Sequence, residues 1–119
     1  MLLILIAGLW FSWKMILAER KAEVRSAVAI IEAYASAIDM FKADNGFYPF
    51  GTNGLNDLVV KPTNATADWH QYVPLNHMDP WGHPYLYVSP GLHNTNSYDL
   101  SSIGPDGIPG TADDIKNWQ

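Results

Sequence analysis

The chain has 119 residues, 48% of them hydrophobic, a formal net charge of −5 and no cysteine. The length allows one small domain, and the lack of cysteine excludes a disulfide framework. The first 25 residues carry four of the seven Lys or Arg residues but only two of the twelve acidic residues. The remainder is therefore strongly acidic, which disfavours nucleic acid as a partner.

The first segment, Met1 to Leu17, is apolar except for Lys14, and this pattern predicts a transmembrane helix. Thirteen residues rise only about 20 Å in a helix, whereas a hydrocarbon core is roughly 30 Å thick. Spanning therefore requires that Lys14 snorkels, that neighbouring subunits shield it, or that the segment continues upstream of Met1. A signal peptide fits less well, because no basic stretch precedes the segment and no small-residue cleavage site follows it.

A second pattern continues the helix. Apolar residues recur at steps of three and four, which is typical of an amphipathic helix: Val24, Val28, Ile31, Ala35 and Ile38. The economical prediction is one long helix from near residue 2 to Ala43. Asp44-Asn45-Gly46 then supplies a stop, with Gly46 suited to a left-handed terminal conformation.

Beyond the helix, Gly and Pro divide the chain into short elements. Residues Leu55 to Val60 could form a short helix. Tyr85 to Val88 and Tyr98 to Ser102 are predicted to pair as an antiparallel hairpin. The pattern indicates an α+β fold with a helix over 1–45 and a globular head over 46–119. The sequence offers no nucleophile elbow, phosphate-binding glycine loop or paired zinc ligands, so we expect no enzymatic activity.

The last segment, Gly104 to Ile115, separates three carboxylates by glycines and prolines. Asp106, Asp113 and Asp114 are candidate calcium ligands, because calcium takes six to eight oxygens in flexible geometry. The alternative is a solvated turn, which uses the same residue types, and the spacing departs from an EF-hand. Repulsion among three acids with only Lys116 nearby in sequence favours a bound cation.

Several short motifs together resemble the major pseudopilin family of type II secretion systems. They include Asp39-Met40-Phe41-Lys42-Ala43-Asp44-Asn45-Gly46-Phe47-Tyr48-Pro49, Gly54-Leu55, Asp79-Pro80-Trp81-Gly82-His83-Pro84-Tyr85, Tyr98-Asp99-Leu100, Gly104-Pro105-Asp106-Gly107 and Asp113-Asp114-Ile115. The match covers nearly everything after residue 20. Each motif is short, and their order and spacing carry the resemblance.

The resemblance implies a type IV pilin-like fold, in which the long helix packs on a small antiparallel sheet and the helices of many copies form a filament. It also implies a calcium loop over 103–115, in which Asp106, Asp113 and Asp114 act with carbonyls around Ile103, Ile108 and Thr111. The implied partners are copies of the chain itself, minor pseudopilins, an inner-membrane assembly platform and the inner membrane before assembly. The implied location is the bacterial inner membrane and periplasm, or an extracellular filament.

The chain departs from the family pattern at its N-terminus. Members begin their mature chain with an aromatic residue followed by a glutamate at the fifth position, after a leader that a prepilin peptidase removes. Here the first acidic residue is Glu19, so we expect that several residues precede Met1 in the natural protein. Two other functions remain open at this point: a type IV pilus-like surface filament for adhesion or motility, and a membrane-anchored calcium-dependent binding module with Trp118 beside the ion.

Overall fold

The computed structural model describes residues 2–118, with side chains described for residue 10 and residues 12–118. The first element is the helix α1, Leu2–Asn45, which confirms the predicted long helix and extends it by two residues. Nothing in the described part of the chain is both helical for long enough and apolar enough to cross a bilayer. The helix makes the molecule 70 Å long.

The second half of α1 carries the head. Its inward face is buried at steps of three and four residues: Ala27, Ile31, Tyr34, Ile38 and Phe41. Of the apolar series predicted from the sequence, Ile31 and Ile38 lie on this face, whereas Val24 and Val28 are each 39% exposed. The helix ends where expected, because Gly46 has a φ of 86° and its N–H donates to the Lys42 carbonyl at 2.8 Å. A residue with a Cβ rarely adopts this conformation, so Gly46 stops the helix at this turn.

The head contains a short 3₁₀ helix, Gly54–Leu58, and three strands: β1 (Leu86–Val88), β2 (Asp99–Ser102) and β3 (Ile115–Lys116). The sheet is antiparallel in the order β1-β2-β3. The α+β class and the β1–β2 hairpin were predicted. The third strand was not, because its two residues are too few to show an alternating pattern.

Aromatic rings fill the core between α1 and the sheet. Phe41, Leu58 and Leu100 are fully buried. The ring of Tyr34 packs edge-on against that of Tyr85, with ring centroids 5.7 Å apart. Large rings bury much area per residue, which suits a head of this small size.

The loop between β1 and β2 is organised by Asp99. Its carboxylate accepts the backbone N–H groups of Leu92, His93 and Asn94, each at 2.9 Å, and meets His93 Nδ1 at the same distance. Burial alone would raise the pKa of Asp99, but these hydrogen bonds outweigh it and hold the pKa below its ordinary value. The ionised form of Asp99 therefore stabilises the loop.

Candidate metal centre

The acidic loop connects β2 to β3 and is closed by their pairing. Ser102, the last residue of β2, lies opposite Ile115, the first residue of β3. The intervening residues 103–114 therefore begin and end at the same edge of the sheet. The loop becomes a compact bulge rather than a tail, which brings its carboxylates together.

One glycine decides how tightly the loop closes. Gly104 has a φ of 74°, and a Cβ at this position would lie 2.5 Å from the Asp113 carbonyl oxygen and 2.9 Å from the Asp113 carboxyl carbon. Real Cβ atoms do not approach backbone so closely. Only glycine satisfies both the positive φ and this approach, so Gly104 places Asp113 over the start of the loop.

The three candidate aspartates converge as predicted. Asp106, Asp113 and Asp114 each offer a carboxylate oxygen, and these oxygens lie within 4.8 Å of one another. The second oxygen of each carboxylate is held by a backbone N–H at 2.8–3.0 Å, donated by Ile108, Asp106 and Gly110 respectively. Each carboxylate is thus anchored through its outer oxygen and presents its inner oxygen to the other two.

The inner oxygens meet around the hydroxyl of Thr111. The Thr111 Oγ1 lies 2.7 Å from Asp106 Oδ2, 2.6 Å from Asp113 Oδ1 and 3.2 Å from Asp114 Oδ1. The carbonyl oxygen of Ile108 also lies 3.1 Å from this hydroxyl. A hydroxyl has one hydrogen to donate, so four acceptors share a single donor.

The electrostatics of the loop follow from this shortage of donors. The hydrogen bond with Thr111 is the main factor that lowers the pKa of Asp113; partial burial opposes it and the Asp106 N–H adds to it. Among the described side chains, the close contacts between a carboxylate and a basic side chain all involve histidines, and none includes these three carboxylates. Three anions therefore lie together without a paired cation, which is the environment that a divalent cation would relieve.

The three residues predicted to supply carbonyl ligands lie in different positions relative to the carboxylates. The Ile108 carbonyl lies at the meeting point. Thr111 meets the carboxylates through its hydroxyl, while its carbonyl accepts the Asp114 N–H at 3.3 Å. Ile103 is nearly buried, at 9% exposure, and is not one of the residues that contact the Thr111 hydroxyl. The converging oxygens are carboxylate, carbonyl and hydroxyl, a hard donor set that fits calcium once solvent completes it.

A buried carboxylate supports the base of the loop. Asp79 accepts the N–H groups of Trp81 and His83 through Oδ1, at 3.1 and 2.8 Å, and the Ser102 hydroxyl through Oδ2 at 2.7 Å. The Ser102 oxygen in turn accepts the Gly104 N–H at 3.2 Å. The Asp-Pro-Trp-Gly motif predicts the local turn, but nothing local in the sequence indicates Ser102 as its partner.

Trp81 connects the same turn to the helix. Its indole N–H donates to Glu23 Oε2 at 2.8 Å. Both residues line a crevice of about 360 Å³ that Asp106 and Asp113 also line, with Arg20 on the helix side. The acidic loop, the Asp79 turn and α1 are therefore in contact through side chains.

Comparison with known proteins supports the family resemblance that the sequence motifs indicate. The family model described as type II secretion system (T2SS), protein G, matches residues 14–118. The chain belongs to this family. Similar proteins named type II secretion system core protein G occur in Escherichia coli K12 (44% identical over 104 residues), Pectobacterium carotovorum (44% over 106) and Vibrio cholerae (40% over 104). Each alignment covers 84% of this chain and 70%, 65% and 71% of the respective relative.

A solved structure agrees with the family match. The crystal structure of the major pseudopilin from the type 2 secretion system of enterohaemorrhagic Escherichia coli superimposes with a TM-score of 0.72 at 36% identity. It covers 87% of this chain and 92% of that chain. The pilin-like fold that the sequence motifs imply is thereby confirmed. The chain is a pseudopilin-type structural component of a secretion system, and this result favours the secretion filament over the surface pilus.

Proposed function

We propose that this pseudopilin is a non-enzymatic subunit that polymerises through α1, and that Asp106, Asp113 and Asp114 hold a calcium ion that clamps the C-terminal loop. Its partners would be copies of itself, minor pseudopilins and the assembly platform of the inner membrane. It would occupy the inner membrane before assembly and the periplasm afterwards.

A single observation carries the calcium proposal: three anchored carboxylates turn their inner oxygens toward one hydroxyl, with no paired cation among the described side chains. The Ile108 carbonyl and the Thr111 hydroxyl would complete the protein ligands. A bound calcium ion would supply the positive charge that offsets the repulsion among the carboxylates. Because the ion would bind only the folded loop, it would stabilise the native state by mass action.

The assembly proposal is supported by the shape of the molecule. The head covers the second half of α1, while Trp10, Trp13 and Met15 on the first half are more than half exposed. Large apolar side chains in this arrangement need cover from lipid or from other helices. Copies that use two different surfaces to cover one another build an open filament.

The calcium site is tested by thermal unfolding of the full chain in detergent, with calcium, with magnesium and with a chelator. Calcium at 100 times its dissociation constant should stabilise the fold by about 2.7 kcal/mol, a rise in Tm of roughly 10–20 °C for a small domain. Asp113→Asn should lose most of the response. Asp68→Asn, an exposed acidic residue outside the loop, serves as the matched control and should keep it.

An identical Tm in calcium and in chelator would reject the site. Electron microscopy of the purified full chain then tests assembly separately. Filaments that appear in calcium and are lost or shortened in chelator would support both proposals. A chain that stays monomeric after transfer out of detergent in saturating calcium would reject polymerisation without affecting the calcium result.

A further inference from the structure

A groove of about 520 Å³ lies along the outer edge of β1, and no residue of the acidic loop lines it. Tyr85, Leu86 and Tyr87 line it on the strand side, and Asn53 and Asn56 of the 3₁₀ helix region form one rim. We propose that this groove binds an extended, uncharged segment of another protein, which adds to the sheet as a strand beside Tyr87. The proposal does not depend on calcium or on polymerisation.

The backbone N–H and C=O of Tyr87 point toward the groove. Their direction follows from the hydrogen bonds of Leu100, the residue opposite Tyr87 on β2. Leu100 donates its N–H to Asn117 Oδ1 at 2.8 Å and accepts the Asn117 N–H at 3.0 Å. Both polar groups of Leu100 therefore point toward β3. Tyr87 lies opposite Leu100, and in an antiparallel ladder such a pair exchanges no hydrogen bond. The N–H and C=O of Tyr87 must then point away from β2.

The hydrogen bonds of Ser89, the residue after β1, indicate the same orientation for the Tyr87 backbone. Ser89 exchanges both of its backbone hydrogen bonds with Gly51, at 2.8 and 3.2 Å. Backbone groups alternate sides along a strand, so Tyr87, two residues earlier, faces the edge that Gly51 caps. Within residues 2–118, no residue outside the sheet hydrogen-bonds to the Tyr87 backbone. One N–H and one C=O at a strand edge are thus without a hydrogen-bond partner among the described residues, in a residue that is 5% exposed overall.

Other segments of the chain pair with the residues at both ends of β1, so the free edge of this strand lies in a recess. Gly51 pairs with Ser89 at one end, and Met78 pairs with Pro84 at the other. Two copies of β1 cannot meet edge to edge across these rims, so the occupant is not the same strand of a second molecule. A loop or terminus of another protein, extended and without its own pairing, can enter.

The walls specify the chemistry of the occupant. No Lys, Arg, Asp or Glu lines the groove in the described structure, whereas asparagine amides do, including Asn76 on the second rim. Tyr85 and His77 also line it. Neutral amides and a free strand edge match peptide groups and uncharged side chains, since a charge would enter without a counterion.

Hydrogen exchange of the full, ¹⁵N-labelled chain in detergent tests the geometry first. The Tyr87 amide should exchange at least about ten-fold faster than the amides of Leu86 and Val88, which face β2. The probe is then acetyl-Thr-Val-Thr-Val-Thr-amide, an uncharged peptide of high strand propensity. It should shift the Tyr87 resonance and slow its exchange, and the same peptide with methylated backbone nitrogens should do neither.

A matched pair of variants tests the site. Asn76→Arg places a long charged side chain at the rim and should weaken peptide binding by about ten-fold or more. Asn64→Arg, on an exposed loop outside the groove, should leave binding unchanged. The proposal is overturned if millimolar peptide leaves Tyr87 unshifted, if the methylated peptide binds equally well, or if protein concentration alone shifts Tyr87, which would identify a second copy as the occupant.

Discussion

The hydroxyl of Ser102 joins the head to the acidic loop, and its removal should be costly. Ser102 is fully buried, donates to Asp79 Oδ2 at 2.7 Å and accepts the Gly104 N–H at 3.2 Å. Ser102→Ala removes a hydrogen bond to a buried carboxylate, worth about 1.5–3 kcal/mol, and leaves the Gly104 N–H without its acceptor. We expect a loss of about 3 kcal/mol in the free energy of unfolding.

Urea denaturation of the full chain in detergent, followed by circular dichroism, measures this loss. At the transition temperature the same change should lower Tm by roughly 10–20 °C, given the small size of the domain. Calcium affinity should also fall, since Gly104 begins the loop that carries Asp106 and Asp113. The m value should stay constant, because the variant unfolds the same surface.

Ser101→Ala provides the control. Ser101 lies next to Ser102 on β2 and is also nearly buried, at 5% exposure. Its hydroxyl has no side-chain hydrogen bond within the described residues, so its removal should change stability by less than about 0.5 kcal/mol. A loss below about 1 kcal/mol for Ser102→Ala, or equal losses for both serines, would refute the view that the hydroxyl supports a buried charge.

Three further predictions concern other contacts of the head. Trp81→Phe keeps an aromatic ring but loses the pyrrole half of the indole, with the N–H donated to Glu23, and should lower the free energy of unfolding in urea by about 1–2 kcal/mol. Asp99→Asn should reduce the loss of unfolding free energy at acidic pH. The pKa of Asp99 is depressed in the fold, so the ionised carboxylate stabilises the fold fully above about pH 4. This stabilisation is lost as the pH falls through the folded pKa. A pH series of urea melts in which both proteins lose stability equally would contradict this. Gly104→Ala should clash with Asp113 and abolish the calcium-dependent rise in Tm; an unchanged rise in differential scanning fluorimetry would show that the loop closes in another way.

Local patterns in the sequence predicted much of this molecule. Apolar steps of three and four gave the helix, which runs from Leu2 to Asn45. The stop at Gly46 and the β1–β2 hairpin were also predicted, because each depends on residues that are close in the chain. The three aspartates could be chosen as candidate ligands because their spacing by Gly and Pro makes a turn-rich loop unavoidable.

Contacts between residues that are distant in the sequence could not be predicted from local patterns. The sequence contains Ser102 and Asp79, 23 residues apart, but no periodicity indicates that they meet. The same holds for the strand edge at Tyr87, which is free only because Asn117 and Gly51 take the neighbouring backbone groups. Residue order alone therefore determined the long helix, the β1–β2 hairpin, the acidic loop and the family, but not β3. The tertiary fold decided which oxygens face one another and which backbone groups stay unpaired, since both depend on how separate segments pack.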